Sequence, residues 1–187
     1  MHRRTVVALI TALILVLLPL TALAGEGGVN ARDLGAYANF ASADPADPAC
    51  TVNYAGITAV ESRIHPGPGQ PESSVWVDVF LSRYSFCNGY LQIVDATGRA
   101  DVGKAALKVN GRLDQARLRA TVPVYATVSG TTFEVAIDIS FTPAGDLVVT
   151  TDGKYRDAAA TGHVVAQGID YATDPTIGGS LWLTQSK

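Results

Sequence analysis

The sequence predicts an all-β domain with an antiparallel, meander-rich β-sandwich fold. Three observations predict it: apolar and polar side chains alternate cleanly, turn sequences recur at short intervals, and no long amphipathic helix pattern occurs. A closed up-and-down β-barrel is the alternative, because the same strands and turns can also close on themselves. The chain has 187 residues, of which 48% are hydrophobic and 17% charged, so we expect one domain with a sizeable core.

The N-terminal segment has the pattern of a secretory signal peptide. Arg3 and Arg4 precede an apolar run over 6–20, and an Ala-Leu-Ala sequence ends at Ala24. We therefore expect residues 1–24 to be removed after Ala24, leaving a secreted or extracytoplasmic protein that is no longer attached to a membrane. An uncleaved membrane anchor is the alternative, because the apolar run is nearly long enough to span a bilayer.

The charge balance argues against polyanionic partners. The chain has a net charge of −3, and loss of the two arginines in the predicted signal peptide would make it more acidic. An acidic domain without clustered Lys and Arg is repelled by phosphate backbones and by anionic lipid surfaces. We therefore expect neither nucleic acid nor a membrane surface to be a partner.

The two cysteines, Cys50 and Cys87, both follow the predicted cleavage site. An even number of cysteines outside the cytosol predicts a disulfide. The bridge would close a loop of 38 residues, for which the chain-entropy model gives about 3.9 kcal/mol of stabilisation as an upper figure. Two cysteines and scattered histidines are too few for a zinc site, and we predict no metal or other cofactor.

Residues 25–48 are rich in Gly, Ala and Asp-Pro, and this composition predicts a flexible N-terminal linker with a short helical turn near 31–40.

The all-β domain is predicted over 49–187. Further strand candidates are separated by Gly, Pro and Asp-rich turns. They cover 51–63, 105–109, 147–151, 155–165 and 180–185.

A hairpin is predicted around the turn sequence Asn88-Gly89, the preferred pair of a type I′ turn. That turn would pair Tyr84 with Ile93. The apolar residues change parity near Ser82, which predicts either a β-bulge there or a central strand that is buried on both faces.

The best-specified element is the hairpin over 115–141, where apolar and polar residues alternate along two strands. Gly130-Thr131 suits a type II′ turn, which would pair Val124 with Ile137 and bring all the apolar side chains to one face. Pro123 cannot donate a ladder hydrogen bond, so it predicts an edge or a bulge in the first strand.

The sequence carries none of the common catalytic motifs, such as G-x-S-x-G, H-E-x-x-H, C-x-x-C, a Walker loop or an EF-hand loop. This favours a non-catalytic domain that acts by binding or by surface interaction. A secreted hydrolase is the alternative, and it requires Asp78, Glu61 and His163 to converge in a cleft. A small barrel that holds an apolar ligand in its mouth is the second alternative.

Aromatic side chains are the candidate contacts of a binding domain, with an extracellular protein, a glycan or a small apolar ligand as the partner. Trp76 and Phe80 have the same parity, and a flat aromatic row can stack against sugar rings. Core packing is the preferred interpretation of that row, since aromatic residues commonly pack against cross-strand neighbours. Trp182 points outward if the leucines that flank it point inward, and Tyr125 lies on the polar side of its strand.

Overall fold

The computed structural model describes residues 30–65, 72–87, 89, 91–174 and 178–186. Over these ranges the chain forms eleven β-strands, and it contains no helix that could cross a membrane. The predicted all-β, antiparallel and meander-rich class is confirmed. The predicted signal peptide over 1–24 lies outside the described residues.

The strand candidates identified after residue 48 correspond to strands of the structure. The bounds are β1 Asn30–Ala43, β2 Thr51–His65, β3 Glu72–Ser85, β4 Leu91–Val102, β5 Leu107–Val109, β6 Ala116–Ala126, β7 Thr132–Pro143, β8 Val148–Thr150, β9 Gly153–Ala166, β10 Ile169–Asp170 and β11 Gly178–Ser186.

Eight of the strands pair in a closed ring. β1 to β4 form a meander, β4 pairs with β6, β6 with β7, β7 with β9, β9 with β11, and β11 returns to β1. All of these pairings are antiparallel. The short strand β5 adds to β6, while β8 and β10 add to β9.

The interior of the ring is filled by the inward-facing side chains of every long strand. Because successive side chains of a strand point to opposite faces, each strand contributes every second residue to this core. Small residues dominate on β2 and β9 and make up half of the contribution of β1, whereas larger aliphatic residues dominate on β3, β6 and β7. The largest fully buried side chains include Phe40, Ile57, Leu81, Leu113, Leu118, Ile139, Phe141 and Leu181.

β1 corrects the prediction of a flexible linker with a helical turn. Over Asn30–Ala43 the chain is a strand that pairs with β2 on one side and with β11 on the other. Ala36 and Ala38 are fully buried in the core, between Leu34 and Phe40. Gly and Ala have low intrinsic β-propensity, so composition alone indicates a loop, but here burial between two strands determines the structure.

The hairpin of β6 and β7 forms with the predicted faces and a different register. Val124 pairs with Phe133 rather than with Ile137, a shift of four residues. The predicted two-residue turn is wrong because Thr127 leaves the hairpin and donates its backbone N–H to the carbonyl oxygen of Asp95 on β4, at 3.0 Å. An even shift preserves the parity of both strands, so the apolar residues within β6 and β7 still face the core. Val128, predicted to pair with Phe133 on that face, instead follows the end of β6 and is 78% exposed.

Pro123 lies in a stretch of β6 that has no ladder partner on the side away from β7. The pairing of β6 with β4 involves only Tyr125 and Ala126, and its pairing with β5 ends at Leu118. The missing N–H of Pro123 is tolerated there, as the edge interpretation predicts.

The bulge predicted near Ser82 is present, and the extra residue belongs to the partner strand. Leu81 pairs with Ala96 and Ser82 pairs with Val94, so Asp95 has no opposite residue on β3. The register of β3 with β2 is unbroken here, so Leu81 and Ser82 point to opposite faces. Both are fully buried: Leu81 faces the core, and Ser82 lies opposite Tyr54 on the other face.

The turn between β3 and β4 is longer than predicted. Ile93 pairs with Arg83 rather than with Tyr84. Asn88 of the predicted type I′ turn lies outside the described residues, and Gly89 has a φ of 89°, in the left-handed region. The predicted register is therefore wrong by one residue.

Cys50 and Cys87 form the predicted disulfide, with their Cα atoms 5.2 Å apart. The bridge connects the turn before β2 to the second residue after β3, at the open end of the β2–β3 hairpin. The backbone N–H of Phe86 donates to the carbonyl oxygen of Cys50 at 2.9 Å, next to the bridge.

Candidate binding surface

The four aromatic residues predicted as contacts all lie on the outer face of the ring. Trp76, Phe80 and Trp182 are half-buried, and Tyr125 is 54% exposed. Core packing is therefore the wrong interpretation of the aromatic row on β3. Valines and a leucine with the opposite parity occupy the interior from that strand, which turns the aromatic rings outward.

The register brings Trp182 and Trp76 into one row that crosses the strands. Trp182 lies opposite Tyr155 on one side and Gly35 on the other, and the row continues through Val60 to Trp76. Adjacent strands lie about 4.8 Å apart, so this row of six strands is roughly 24 Å long. We call the row the aromatic stripe. Its members are Val148, Tyr155, Trp182, Gly35, Val60 and Trp76.

The stripe is continuous because Trp182 covers the glycine beside it. A Cβ atom at position 35 would lie 2.1 Å from two ring carbons of the Trp182 indole. The indole therefore occupies the space of the missing side chain and extends toward Val60, which is nearly buried. Packing an aromatic ring over a strand glycine supplies the apolar contact that glycine itself lacks.

Polar rows border the stripe on both sides. On one side the hydroxyl of Ser62 donates to Asp33 at 2.7 Å. Hydroxyls and carboxylates dominate both rows. One row contains Thr184, Asp33, Ser62 and Ser74, and the other contains Asp157, Ser180, Tyr37, Thr58 and Asp78.

A cation lies over the aromatic ring at one end of the stripe. The guanidinium carbon of Arg99 is 4.0 Å from the ring centroid of Trp76, and Arg99 Nε lies 3.5 Å from a carboxylate oxygen of Asp78. Burial raises the pKa of Asp78, and the charge of Arg99 opposes that rise. This end of the stripe therefore presents both donors and acceptors beside an aromatic ring.

Phe80 and Tyr125 belong to a different row. They flank Thr97 on the outer face, and Phe80 is four residues along β3 from Trp76, a distance of about 13 Å. Phe80 packs edge to face against Tyr54, with ring centroids 6.3 Å apart. The structure therefore brings only Trp76 and Trp182 together among the four predicted residues.

The residues of the predicted hydrolase do not converge. Glu61 faces inward and accepts a hydrogen bond from Arg63 at 2.7 Å. Asp78 and His163 both face outward, but on β3 and β9, which are separated by three strands in either direction around the ring. His163 instead pairs with Asp170, at 2.6 Å. Within the described ranges, no group of three His, Cys, Asp or Glu side chains is placed to hold a metal ion.

The interior does not favour the apolar-ligand alternative, because aliphatic side chains fill it. Sequence reasoning missed Tyr155, Tyr37 and Gly35 as parts of the outer surface. Only the cross-strand register places them there, and a single strand sequence does not contain that register. Comparison of the chain with family models, with curated proteins and with solved structures finds no match in any of the three.

Proposed function

We propose that this protein is a secreted, non-catalytic domain that binds an extended glycan along the aromatic stripe. The observation that carries the proposal is the row of aromatic and apolar side chains on the outer face, bordered on both sides by hydroxyls and carboxylates. A sugar ring has an apolar C–H face and a rim of hydroxyls. The aromatic row supplies apolar contacts for the C–H face, and the polar rows supply hydrogen bonds for the hydroxyls.

The dimensions of the stripe favour a chain-like ligand over a protein. The stripe is about 24 Å long, and rows on one face of a strand lie about 7 Å apart. Its apolar area is therefore roughly 170 Å², well below the roughly 450 Å² of apolar surface that each partner contributes to a stable protein interface. A narrow apolar strip between polar rows suits a ligand that is itself narrow and amphipathic.

Export is supported by the disulfide and by the N-terminal sequence. Disulfides persist in oxidising compartments, and Cys50 and Cys87 are bonded in the folded domain. The apolar run before Ala24, with its Ala-Leu-Ala ending, has the pattern of a cleaved signal peptide. A glycan ligand is consistent with a domain outside the cytoplasm.

Affinity electrophoresis against soluble polysaccharides tests the proposal. The gels would contain β-1,4-glucan, β-1,3-glucan or xylan, and retardation of the wild-type domain in at least one of them is expected. Tyr155→Ala removes a 46% exposed ring of the stripe, and Tyr125→Ala removes a 54% exposed ring outside it.

We expect Tyr155→Ala to weaken binding by about 2- to 10-fold, the range that one aromatic contact contributes, and Tyr125→Ala to bind like the wild type. Equal losses in both variants would contradict the proposal, as would wild-type mobility that none of the polysaccharides changes.

A further inference from the structure

Each aromatic ring of the stripe has a carboxylate beside it on the same outer face. Residues i and i+2 of a strand share a face and lie about 7 Å apart, so one small ligand group can contact both side chains. Asp33 has this relation to Gly35, the residue that the Trp182 indole covers. We call these the aromatic–carboxylate pairs. They are Tyr155–Asp157 on β9, Trp182–Asp33 across β11 and β1, and Trp76–Asp78 on β3.

One of the three aromatic–carboxylate pairs already holds a cation. The guanidinium carbon of Arg99 lies 4.0 Å from the centroid of the Trp76 ring, and Arg99 Nε lies 3.5 Å from Asp78. The face of an aromatic ring and a carboxylate both attract positive charge. The chain itself therefore shows which kind of group such a pair accepts on this surface.

The other two pairs contain no cation. One oxygen of Asp33 accepts the hydroxyl of Ser62, and neither Asp33 nor Asp157 has an ion-pair partner among the residues that the structure describes. Their basic sequence neighbours, Arg32 on β1 and Arg156 on β9, have the opposite parity and point to the inner face. The outer face therefore carries uncompensated negative charge beside two aromatic rings.

Asp101 extends this negative charge to the end of the stripe. It lies opposite Trp76 on β4 and is exposed. Within the described residues, Arg99 is the one cationic side chain in the stripe and the two polar rows that border it. Since Arg99 is already held by Trp76 and Asp78, it does not neutralise the carboxylates farther along the stripe.

We propose that the glycan bound along the aromatic stripe is cationic, a polymer of hexosamine units with free amino groups. This inference rests on the glycan binding proposed above and adds the chemistry of the ligand. The sugar rings would pack against the aromatic side chains, and the protonated amino groups would contact Asp33 and Asp157. A neutral glycan would gain the ring contacts alone, and a polyuronate would be repelled.

Isothermal titration calorimetry with two oligosaccharides that differ only in acetylation tests the inference. The ligands are the β-1,4-linked hexamers of glucosamine and of N-acetylglucosamine, each titrated at pH 5.5 into the disulfide-bonded wild-type domain. We expect the glucosamine hexamer to bind about 3- to 10-fold more tightly, the range that a few exposed ion pairs contribute. Equal affinity for the two hexamers would overturn the inference, because charge would then contribute nothing.

A charged peptide is the control for attraction without sugar recognition. N-acetyl-hexalysine amide carries six ammonium groups and no sugar ring, so it should bind more weakly than the glucosamine hexamer. Peptide binding as tight as that of the glucosamine hexamer would overturn the inference, since the aromatic rings would then add nothing to charge.

The variant Asp33→Asn/Asp157→Asn locates the contact. Asparagine keeps the size of the side chain and can still accept the Ser62 hydroxyl, so the fold should be retained, which thermal melts would check. We expect about 3- to 10-fold weaker binding of the glucosamine hexamer and less than 2-fold change for the N-acetylglucosamine hexamer. Glu134→Gln removes an exposed carboxylate from β7, outside the stripe, and should change neither affinity. Unchanged glucosamine binding in the aspartate variant would overturn the inference.

The outcomes separate this inference from the proposed function. Binding of neutral polysaccharides with no preference for the glucosamine hexamer would overturn the cationic ligand alone. Failure of every carbohydrate to bind, charged or neutral, would overturn glycan binding itself.

Discussion

The benzene ring of the Trp182 indole occupies the space that a side chain at position 35 would need. The two residues lie opposite each other on β11 and β1, and a Cβ atom on residue 35 would approach the ring to 2.1 Å. Position 35 therefore requires glycine for as long as Trp182 keeps its orientation. The same contact makes the aromatic stripe continuous between β11 and β2.

Gly35→Ala should destabilise the domain by about 1–3 kcal/mol, the usual cost of forcing an extra group into a packed site. Urea denaturation would measure the loss. Gly103→Ala is the control, since a Cβ atom there would meet nothing within 4 Å, and its effect should stay within about 0.5 kcal/mol.

A double-mutant cycle separates the clash from the other effects of the substitution. In the Trp182→Ala background the added methyl group has room, so Gly35→Ala should cost much less there than in the wild type. Equal costs in both backgrounds would show that Trp182 does not lie over residue 35.

His163 and Asp170 form a pair whose contribution depends on pH. His163 Nδ1 lies 2.6 Å from Asp170 Oδ2, and the other carboxylate oxygen accepts the backbone N–H groups of Val164 and Ala172. The hydrogen bond to Asp170, with the charge of that carboxylate, raises the pKa of His163 above its ordinary 6.5. Burial alone would raise the pKa of Asp170, but its hydrogen bonds with His163 and the two amides lower it.

The stability that the pair provides should be largest in mildly acidic solution. A raised His163 pKa stabilises the folded state below pH 6.5, and this contribution is lost as the pH rises through the folded-state pKa. A lowered Asp170 pKa stabilises the folded state above about pH 4, and this contribution is lost as the pH falls through the folded-state pKa.

Thermal melts of wild type and His163→Gln at pH 5 and pH 9 would measure this effect. We expect the difference in melting temperature to be larger at pH 5. A difference that is independent of pH would mean that His163 is not ion-paired.

The disulfide should contribute strongly to stability. Cys50→Ala/Cys87→Ala removes the bridge without leaving a free thiol, and we expect the free energy of unfolding to fall by about 2–4 kcal/mol. The adjacent pairing of Thr51 with Ser85 would remain, so the fold should be retained. Urea denaturation of the variant and of the wild type would give the value, and identical midpoints would contradict it.

Asn53 is a buried polar residue whose removal should cost little. It is fully buried on the inner face of β2, and neither amide atom has a hydrogen-bond partner within the described ranges. Asn53→Ala leaves a cavity but also removes an unsatisfied amide, so we expect a net change of less than about 1 kcal/mol. Ile57→Ala, on the same face of the strand, should cost about 2–5 kcal/mol. Similar large losses would show that the Asn53 amide has a partner.

The sequence was sufficient to predict which side chains of β6 and β7 face the core, but it was not sufficient for their register. Alternation determines the face of each residue, and every even shift satisfies it equally well. The actual register depends on Thr127, which bonds to Asp95 on β4 and ends the hairpin early. That contact joins residues far apart in sequence, so it cannot be predicted from the alternation or the turn sequence of the hairpin itself.

β1 shows the opposite failure, in which a real strand lacks a strand-like sequence. Its glycine and alanines are small because Trp182 covers Gly35 and because Ala36 and Ala38 are enclosed by the core. For the same reason the aromatic stripe was only partly predictable. Trp76 and Trp182 were identified from parity, but Tyr155 required knowledge of which strands are neighbours.

Protection of tryptophan from acrylamide quenching tests the central claim most directly. Trp76 and Trp182 are the two tryptophans of the chain, and both lie on the aromatic stripe. A polysaccharide identified by affinity electrophoresis, added as soluble oligosaccharides, should reduce the quenching constant and change the emission of the wild-type domain. Binding that leaves tryptophan quenching and emission unchanged would place the glycan elsewhere and contradict the account.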